Sequence, residues 1–225
     1  MQFRFYWLFI LRWCGINSDL NDYVWYFAYG SNVSKERFLC YVRGGQPKLG
    51  TRVYSGCRNK AFPLMIKPRV VRHELYFAKN SRSWENGGVA FLANSSRADV
   101  VTYGRLYLIT KQQLCDVAKQ EAGSDEIIEI NFHQAIDRGH IIFKQRPAWY
   151  GNAVFLGMSW RIPIFTLTNE VDLPECVSPA GAYLRTISDG LVETHGLDKK
   201  QIAKYFMRRS EVASAYPIER LENFL

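Results

Sequence analysis

Residues 24–29 form an unbroken apolar run, rich in aromatic and β-branched side chains, that stops at Gly30 and passes into Ser31 and Asn32. The run predicts a buried strand, and residues 33–42, with Phe38, Tyr41 and Val42 on one face, predict a helix. Looser alternation predicts strands over 51–57, 58–66 and 74–78, broken near Pro47, Gly56 and Pro68. Residues 80–88 are polar and predict a loop carrying Trp84, after which 89–92 and 100–109 read as strands. Thr110 with Gln113 is a capping box that opens a helix over 111–120. Short apolar alternations then predict strands over 126–132, 141–144, 153–156 and 164–167. The C-terminal part turns helical. Leu184, Ile187 and Leu191 share a helical face within 182–195, which stops at Gly196, and Asp198 with Gln201 opens a further helix bearing Ile202, Ala203, Tyr205 and Phe206. Many short strands with few helices, lacking strict alternation, predict an α+β domain with a mixed or partly closed sheet. Residues 23–209 are read as that domain, 1–22 as an N-terminal extension and 210–225 as a C-terminal tail.

Composition narrows the picture. With 225 residues, 48% apolar and 15% aromatic, the chain can bury one sizeable core. Its 29 basic against 21 acidic residues give a net charge of +8, scattered without a run, which argues against a nucleic-acid surface and favours small acidic substrates. Cys14, Cys40, Cys57, Cys115 and Cys176 lie far apart without metal-ligand spacing and read as reduced thiols. None of the four histidines sits in a metal motif; His195, at a helix end before Gly196, is expected to be partly charged by the helix dipole. Residues 5–11 follow Arg4 but are too short to span a bilayer, and no small-x-small cleavage site follows before Asn17, so neither a membrane partner nor a signal peptide is expected and the cytoplasm is the expected location. Nothing in the sequence specifies an oligomeric state.

Two places carry candidate chemistry. Gly30 can adopt angles closed to other residues, Ser31 and Asn32 are good N-caps, and the N–H groups of the first helical turn attract an anion such as a carboxylate or phosphate. Along the helix opened by Thr110, Leu114, Val117 and Ala118 share a face onto which Glu121 also falls. That carboxylate is expected beneath the apolar side of the helix and at its C-terminal end, with Gly123 for the turn, where desolvation and dipole both favour its protonated form. Such an acid can take and return a proton. Ser31 lacks a G-x-S-x-G context and reads as a cap and backbone donor rather than a nucleophile. Trp84 and Trp149 read as core aromatics more readily than as the mouth of a pocket.

The run Tyr26-Phe27-Ala28-Tyr29-Gly30-Ser31-Asn32 resembles the F-A-Y-G-S-N signature of the γ-glutamylcyclotransferase-like family, and Gln120-Glu121-Ala122-Gly123 resembles its Q-E-G turn. Residues 84–90, 103–107 and 178–183 are similar to its W-x-G-G-V/I-A, Y/W-G-x-x-Y/W and S-P-x-Y segments, in the same order. The resemblance implies an α+β fold with a small mixed β-barrel flanked by helices, and cofactor-free, metal-free chemistry. The α-amine of a γ-glutamyl amide would attack its own side-chain carbonyl, giving 5-oxoproline and a free amine or amino acid. It further implies Glu121 as catalytic acid and base, with Tyr29, Gly30, Ser31, Asn32 and Tyr183 holding the small-molecule substrate. The chain departs from the pattern at Ala122, at residues 125–128 where several members carry a tyrosine, and in a 178–183 segment longer by two residues. Substrate contacts therefore do not carry over wholesale. A non-catalytic module binding a small anion, and an amide hydrolase or acyltransferase, are the alternative readings. The leaving amine is expected to be recognised by loops 80–88 and 145–152.

Overall fold

The computed structural model describes residues 20–50, 52–143 and 149–225. Most of the expected N-terminal extension (1–19), position 51 of an expected strand, position 144 of the segment 141–144, and residues 145–148 of the second loop lie outside the described residues. Among the described residues there are eight strands: Tyr23–Ala28 (β1), Met65–Val71 (β2), His73–Ser81 (β3), Gly87–Ser96 (β4), Thr102–Thr110 (β5), His140–Ile142 (β6), Asn152–Ser159 (β7) and Ile162–Thr168 (β8). Seven α-helices accompany them: Lys35–Arg43 (α1), Lys111–Ala122 (α2), Phe132–Arg138 (α3), Gly181–His195 (α4), Lys199–Phe206 (α5), Ser210–Ala213 (α6) and Ile218–Phe224 (α7).

The fold is α+β. Six strands form a sheet in the order β2-β5-β1-β8-β7-β6, in which only the β1–β8 pairing is parallel, and β3 and β4 form a separate hairpin. The mixed sheet is open, so the expected barrel is not formed. Side chains link hairpin to sheet, Thr168 among them: its Oγ1 accepts from Leu92 N (3.2 Å) and donates to Leu92 O (2.7 Å) where a strand ladder would run.

All of β1 is buried because both faces of the sheet are covered, which is why its sequence runs apolar without alternating. Trp25 and Phe27 pack with the hairpin and with Leu184, Ile187, Ile202 and Phe206 of α4 and α5. Val24, Tyr26 and Ala28 pack on the opposite face with Phe38 of α1 and Leu114 and Val117 of α2. Val212, Leu221 and Leu225 complete the first core, while buried Arg209 and Glu211 bond the β3 backbone, Arg209 Nε donating to Leu75 O (2.9 Å) and Glu211 Oε1 accepting from Phe77 N (2.8 Å). No helix among the described residues is long and apolar enough to cross a membrane.

Several local expectations fail for identifiable reasons. The described part of 51–64 is not strand but an irregular loop with one bridge, Gly45 to Tyr54, and positive φ at Gly44, Gly45, Gly50 and Gly56. Its polar groups pair with helices instead, Arg58 N donating to Asp116 of α2 (2.9 Å). β2 runs through Pro68, tolerated because β2 is a sheet edge. Residues 126–131 alternate as a strand would, yet remain irregular: Ile128 and Ile130 fill the core beneath α2, and Asn131 caps α3 by accepting from Gln134 N (3.0 Å). His195 is not charged by the dipole. Burial lowers its pKa, and its Nε2 lies 2.8 Å from Gly104 O.

Both expected capping boxes form, at Thr110 with Gln113 and at Asp198 with Gln201. Because the Thr110 hydroxyl satisfies one of the orphan N–H groups of α2 (3.0 Å from Gln113 N), Thr110→Ala is expected to cost about 1 kcal/mol, read as a lowered urea midpoint at unchanged m-value.

Candidate active site

The turn after β1 is shaped by packing rather than by unusual backbone angles. Gly30 has φ −99°, open to any residue; its missing side chain matters because a Cβ would lie 3.1 Å from both Ala90 Cβ and the Tyr183 hydroxyl. Residues Ser31–Val33 form a 3-10 turn, and the cap of α1 is Ser34, whose Oγ accepts from Arg37 N (3.4 Å). Ser31 and Asn32 are therefore not the caps expected, and their side chains are free for other work. Ser31 Oγ accepts from Arg37 Nε (3.0 Å), and Asn32 Nδ2 donates to Glu121 Oε1 (2.9 Å). Asn32 is 5% exposed and its Oδ1 has no hydrogen-bond partner. α4 presses on this turn at Gly190, where a Cβ would lie 2.6 Å from Ser34 N.

Glu121 lies in the last turn of α2, which closes at Gly123 in the left-handed conformation (φ 59°). Gln120 Nε2 ties this end to α1 by donating to Tyr41 O (2.9 Å). Glu121 is half-buried by surface area, but the atoms around its carboxylate desolvate it, and burial raises its pKa. Hydrogen bonds from Tyr41 and Asn32 and the positive charges of Arg37 and Arg52 pull the other way without cancelling the effect.

Glu121, Tyr29, Gly30, Ser31, Asn32 and Tyr183 all line one cavity of about 140 Å³. All three hydroxyls among the six are engaged, that of Ser31 by Arg37 Nε. Tyr29 donates to Leu167 O (2.8 Å), whereas Tyr183 accepts from Ala90 N (3.0 Å), which leaves its hydrogen available. Burial pushes the Tyr183 pKa up to about 12, so it stays a neutral donor. Trp84 and Trp149 also line the cavity, contrary to a purely core role; Trp84 is 7% exposed and the Arg37 guanidinium sits 5.0 Å from its ring centroid.

The sequence reading missed the cations and phenols of the cavity: Arg37, Arg52, Tyr41 and Tyr54. Arg37 is 6% exposed, and its bonds to Ser31 Oγ, Leu49 O (3.2 Å) and Tyr54 OH (2.8 Å) are all to neutral oxygens. No carboxylate forms an ion pair with it among the described residues. A signal was present: Arg37 precedes Tyr41 by four positions and shares the buried face of α1. Arg52 and Tyr54 come from the irregular loop, where no periodicity marks them.

The sequence landmarks converge here. Residues from 26–32, 84–90, 120–123 and 178–183 line the cavity, and residues 103–107 support it, since Tyr107 OH donates to Asn32 O (2.9 Å). Among the described residues, no group of three or more His, Cys, Asp or Glu side chains could hold a metal ion.

No family model matches the chain. A curated protein from Arabidopsis thaliana, histone deacetylase 5, is 36% identical over 197 residues, covering 81% of this chain, and the chain spans 30% of that protein's length. Two solved structures are similar at 19% and 18% identity and a TM-score of 0.47 each. The first, a gamma-glutamyl cyclotransferase, is matched over 81% of this chain and 86% of its own; the second, an uncharacterized protein from Homo sapiens, over 82% and 86%. In the order of its landmarks, which meet in one cavity, the chain resembles the γ-glutamylcyclotransferase-like pattern.

Proposed function

We propose that the chain is a γ-glutamylcyclotransferase-type enzyme that releases 5-oxoproline and a free amine or amino acid from a γ-glutamyl amide. The observation that carries this reading is the 2.9 Å bond from Asn32 Nδ2 to Glu121 Oε1, which joins the glycine turn to the carboxylate 89 residues away inside one cavity. In the proposed reaction Glu121 takes a proton from the α-ammonium of the bound substrate. The freed amine attacks the γ-carbonyl carbon, forming the ring C–N bond. Glu121 then returns the proton to the departing nitrogen as the original C–N bond breaks, and the second proton shed by the ring nitrogen ends on the released amine as its ammonium, so no water or co-reactant is consumed. Holding the chain bent is the main task, since well-oriented ring closure can be worth about 7–11 kcal/mol.

Arg37, a buried cation paired only with neutral oxygens, supports binding of the substrate α-carboxylate. The unpaired Oδ1 of Asn32 suits the α-ammonium, and the Tyr183 hydroxyl is a donor for the oxygen on which charge develops. Incubating the protein with a panel of γ-glutamyl amines and amino acids and detecting 5-oxoproline by mass spectrometry tests the reading. Free glutamate in its place would mean hydrolysis. Tight binding of the panel without turnover would mean a non-catalytic module.

The raised pKa of Glu121 has a signed consequence. As the base it must be ionised, so kcat/KM is expected to fall as pH drops through an apparent pKa above the ordinary glutamate value of about 4.3. An acid limb at or below that value would contradict the assignment. Stability runs oppositely. The unfolded chain gives up this proton first as pH rises, so the group subtracts stability between its unfolded and folded pKa values, and that cost persists at higher pH.

A further inference from the structure

A guanidinium has only donors, so any hydrogen bond it makes has a fixed direction. Arg37 Nη2 donates to the Tyr54 hydroxyl (2.8 Å), Tyr54 donates to the Tyr41 hydroxyl (3.2 Å), and Tyr41 and Glu121 line the same cavity. Since the Tyr54 oxygen receives from the cation, its hydrogen turns to Tyr41. Tyr41, receiving that hydrogen, keeps its own for a partner in the cavity it shares with Glu121. The three residues thus run in one polarity from a buried positive charge to the carboxylate, across α1 and the 44–64 loop to the end of α2. We propose that Arg37, Tyr54 and Tyr41 form a one-way hydrogen-bond chain that orients the Glu121 carboxylate and sets the pH at which it takes up a proton.

The groups facing Glu121 come from every element around it. β1 presents Tyr26, the 3-10 turn Asn32, α1 Arg37 and Tyr41, and the loop Arg52 and Tyr54. The segment before β7 presents Tyr150, and α4 Tyr183. Burial keeps the phenols of Tyr26, Tyr150 and Tyr183 neutral. Arg52 is directed to Gln120 O (2.8 Å), so its effect on Glu121 is through space. Asn32 donates directly to the carboxylate, and the proposed chain ending in Tyr41 is the second route by which it is held ionised against its desolvation. Tyr41 and Tyr54 are positioning residues, and neither needs to touch substrate.

The hydrogen-bond chain is tested on the 225-residue protein with Tyr41→Phe, Tyr54→Phe and the double variant, which remove only phenolic hydroxyls. The first readout needs no substrate: the carbon-13 shift of the Glu121 side-chain carboxyl, assigned by its disappearance in Glu121→Gln, followed against pH. Tyr41→Phe is expected to move the midpoint up by about one pH unit, the effect of losing one hydrogen bond to a charged group. Tyr54→Phe is expected to move it in the same direction by less, and the double variant no further than Tyr41→Phe, because the two act in series. An unmoved or lowered midpoint in Tyr41→Phe, an unmoved one in Tyr54→Phe, or additive shifts in the double variant would overturn the proposal.

The second readout, the acid limb of 5-oxoproline formation, rests on the function proposed above. In the variants that limb should move with the carboxyl titration, whereas a merely structural role would lower kcat equally at all pH. Shifts in the titration without any 5-oxoproline would sink the proposed reaction and leave the chain standing. Activity with no shift in either readout would do the reverse.

Discussion

Glu121→Gln is expected to lower 5-oxoproline formation by about 10²–10⁴-fold, the range associated with losing a positioned general acid and base. The substitution is nearly isosteric, and the amide oxygen can still accept from Asn32 Nδ2, now 2.9 Å from Oε1, so the cavity should keep its shape. Thermal stability at neutral pH should be equal to or above that of the parent chain. The parent holds a desolvated carboxylate there, and the variant holds none. Loss of turnover with stability retained would separate chemistry from folding. Turnover within about threefold of the parent would remove Glu121 from the reaction, since even modest acid–base catalysts contribute about 100-fold.

Gly88→Ala is expected to have the largest effect on stability. A Cβ there would lie 2.1 Å from Val177 O and 2.9 Å from Val177 C, both backbone atoms. These atoms are not free to retreat, because Val177 N donates to Phe77 O (2.9 Å) and Gly88 N donates to Ser178 O (2.9 Å). Relieving the overlap means parting 177–180 from the β3–β4 hairpin, at a cost of about 3 kcal/mol or more. For a chain of this size the expected fall in Tm is about 6–12 °C. The same displacement moves the start of α4 and with it Tyr183, so 5-oxoproline formation should fall as well. A Tm within about 2 °C of the parent would mean that the contact between these segments is looser than described.

This contact also accounts for two of the sequence landmarks. The glycine pair 87–88 and the 178–183 segment, ninety positions apart in round numbers, belong together because one is the space into which the other fits: a Cβ on Gly87 would meet Ala180 N at 2.4 Å. Gly104 has a similar role in β5, where a Cβ would meet Ala28 O at 2.4 Å. Such glycines read in sequence as breaks or turns. Their reason is a close approach that exists only after folding.

Local physics made much of the fold legible. The apolar run of β1, the strand that becomes β5, both capping boxes and the helix ends at Gly123 and Gly196 each depend on residues within a few positions of one another. The fall of Glu121 onto the buried side of α2 belongs to the same class, since helical spacing alone determines it. The irregular path of 52–64 was not legible, because its polar groups are satisfied by distant partners such as Asp116 rather than by neighbours; α3 was not read either, although its Asn131 cap is local. Whether the sheet closed into a barrel was equally out of reach. It depends on how strands far apart in sequence pair, with Thr168 bonding Leu92 where a ladder would otherwise run.

By itself, then, the sequence determined which residues could carry the chemistry: a glycine turn ending a buried strand, and a carboxylate on the apolar side of a capped helix. Only the tertiary structure decided that Asn32 serves Glu121 rather than the cap of α1, and that Arg37, Tyr54 and Tyr41 surround the same carboxylate. The physical reason is range. Capping and helical spacing act within about one turn of the chain, whereas the acidity of a buried group is set by whichever charges and donors the fold brings to within a few ångströms of it.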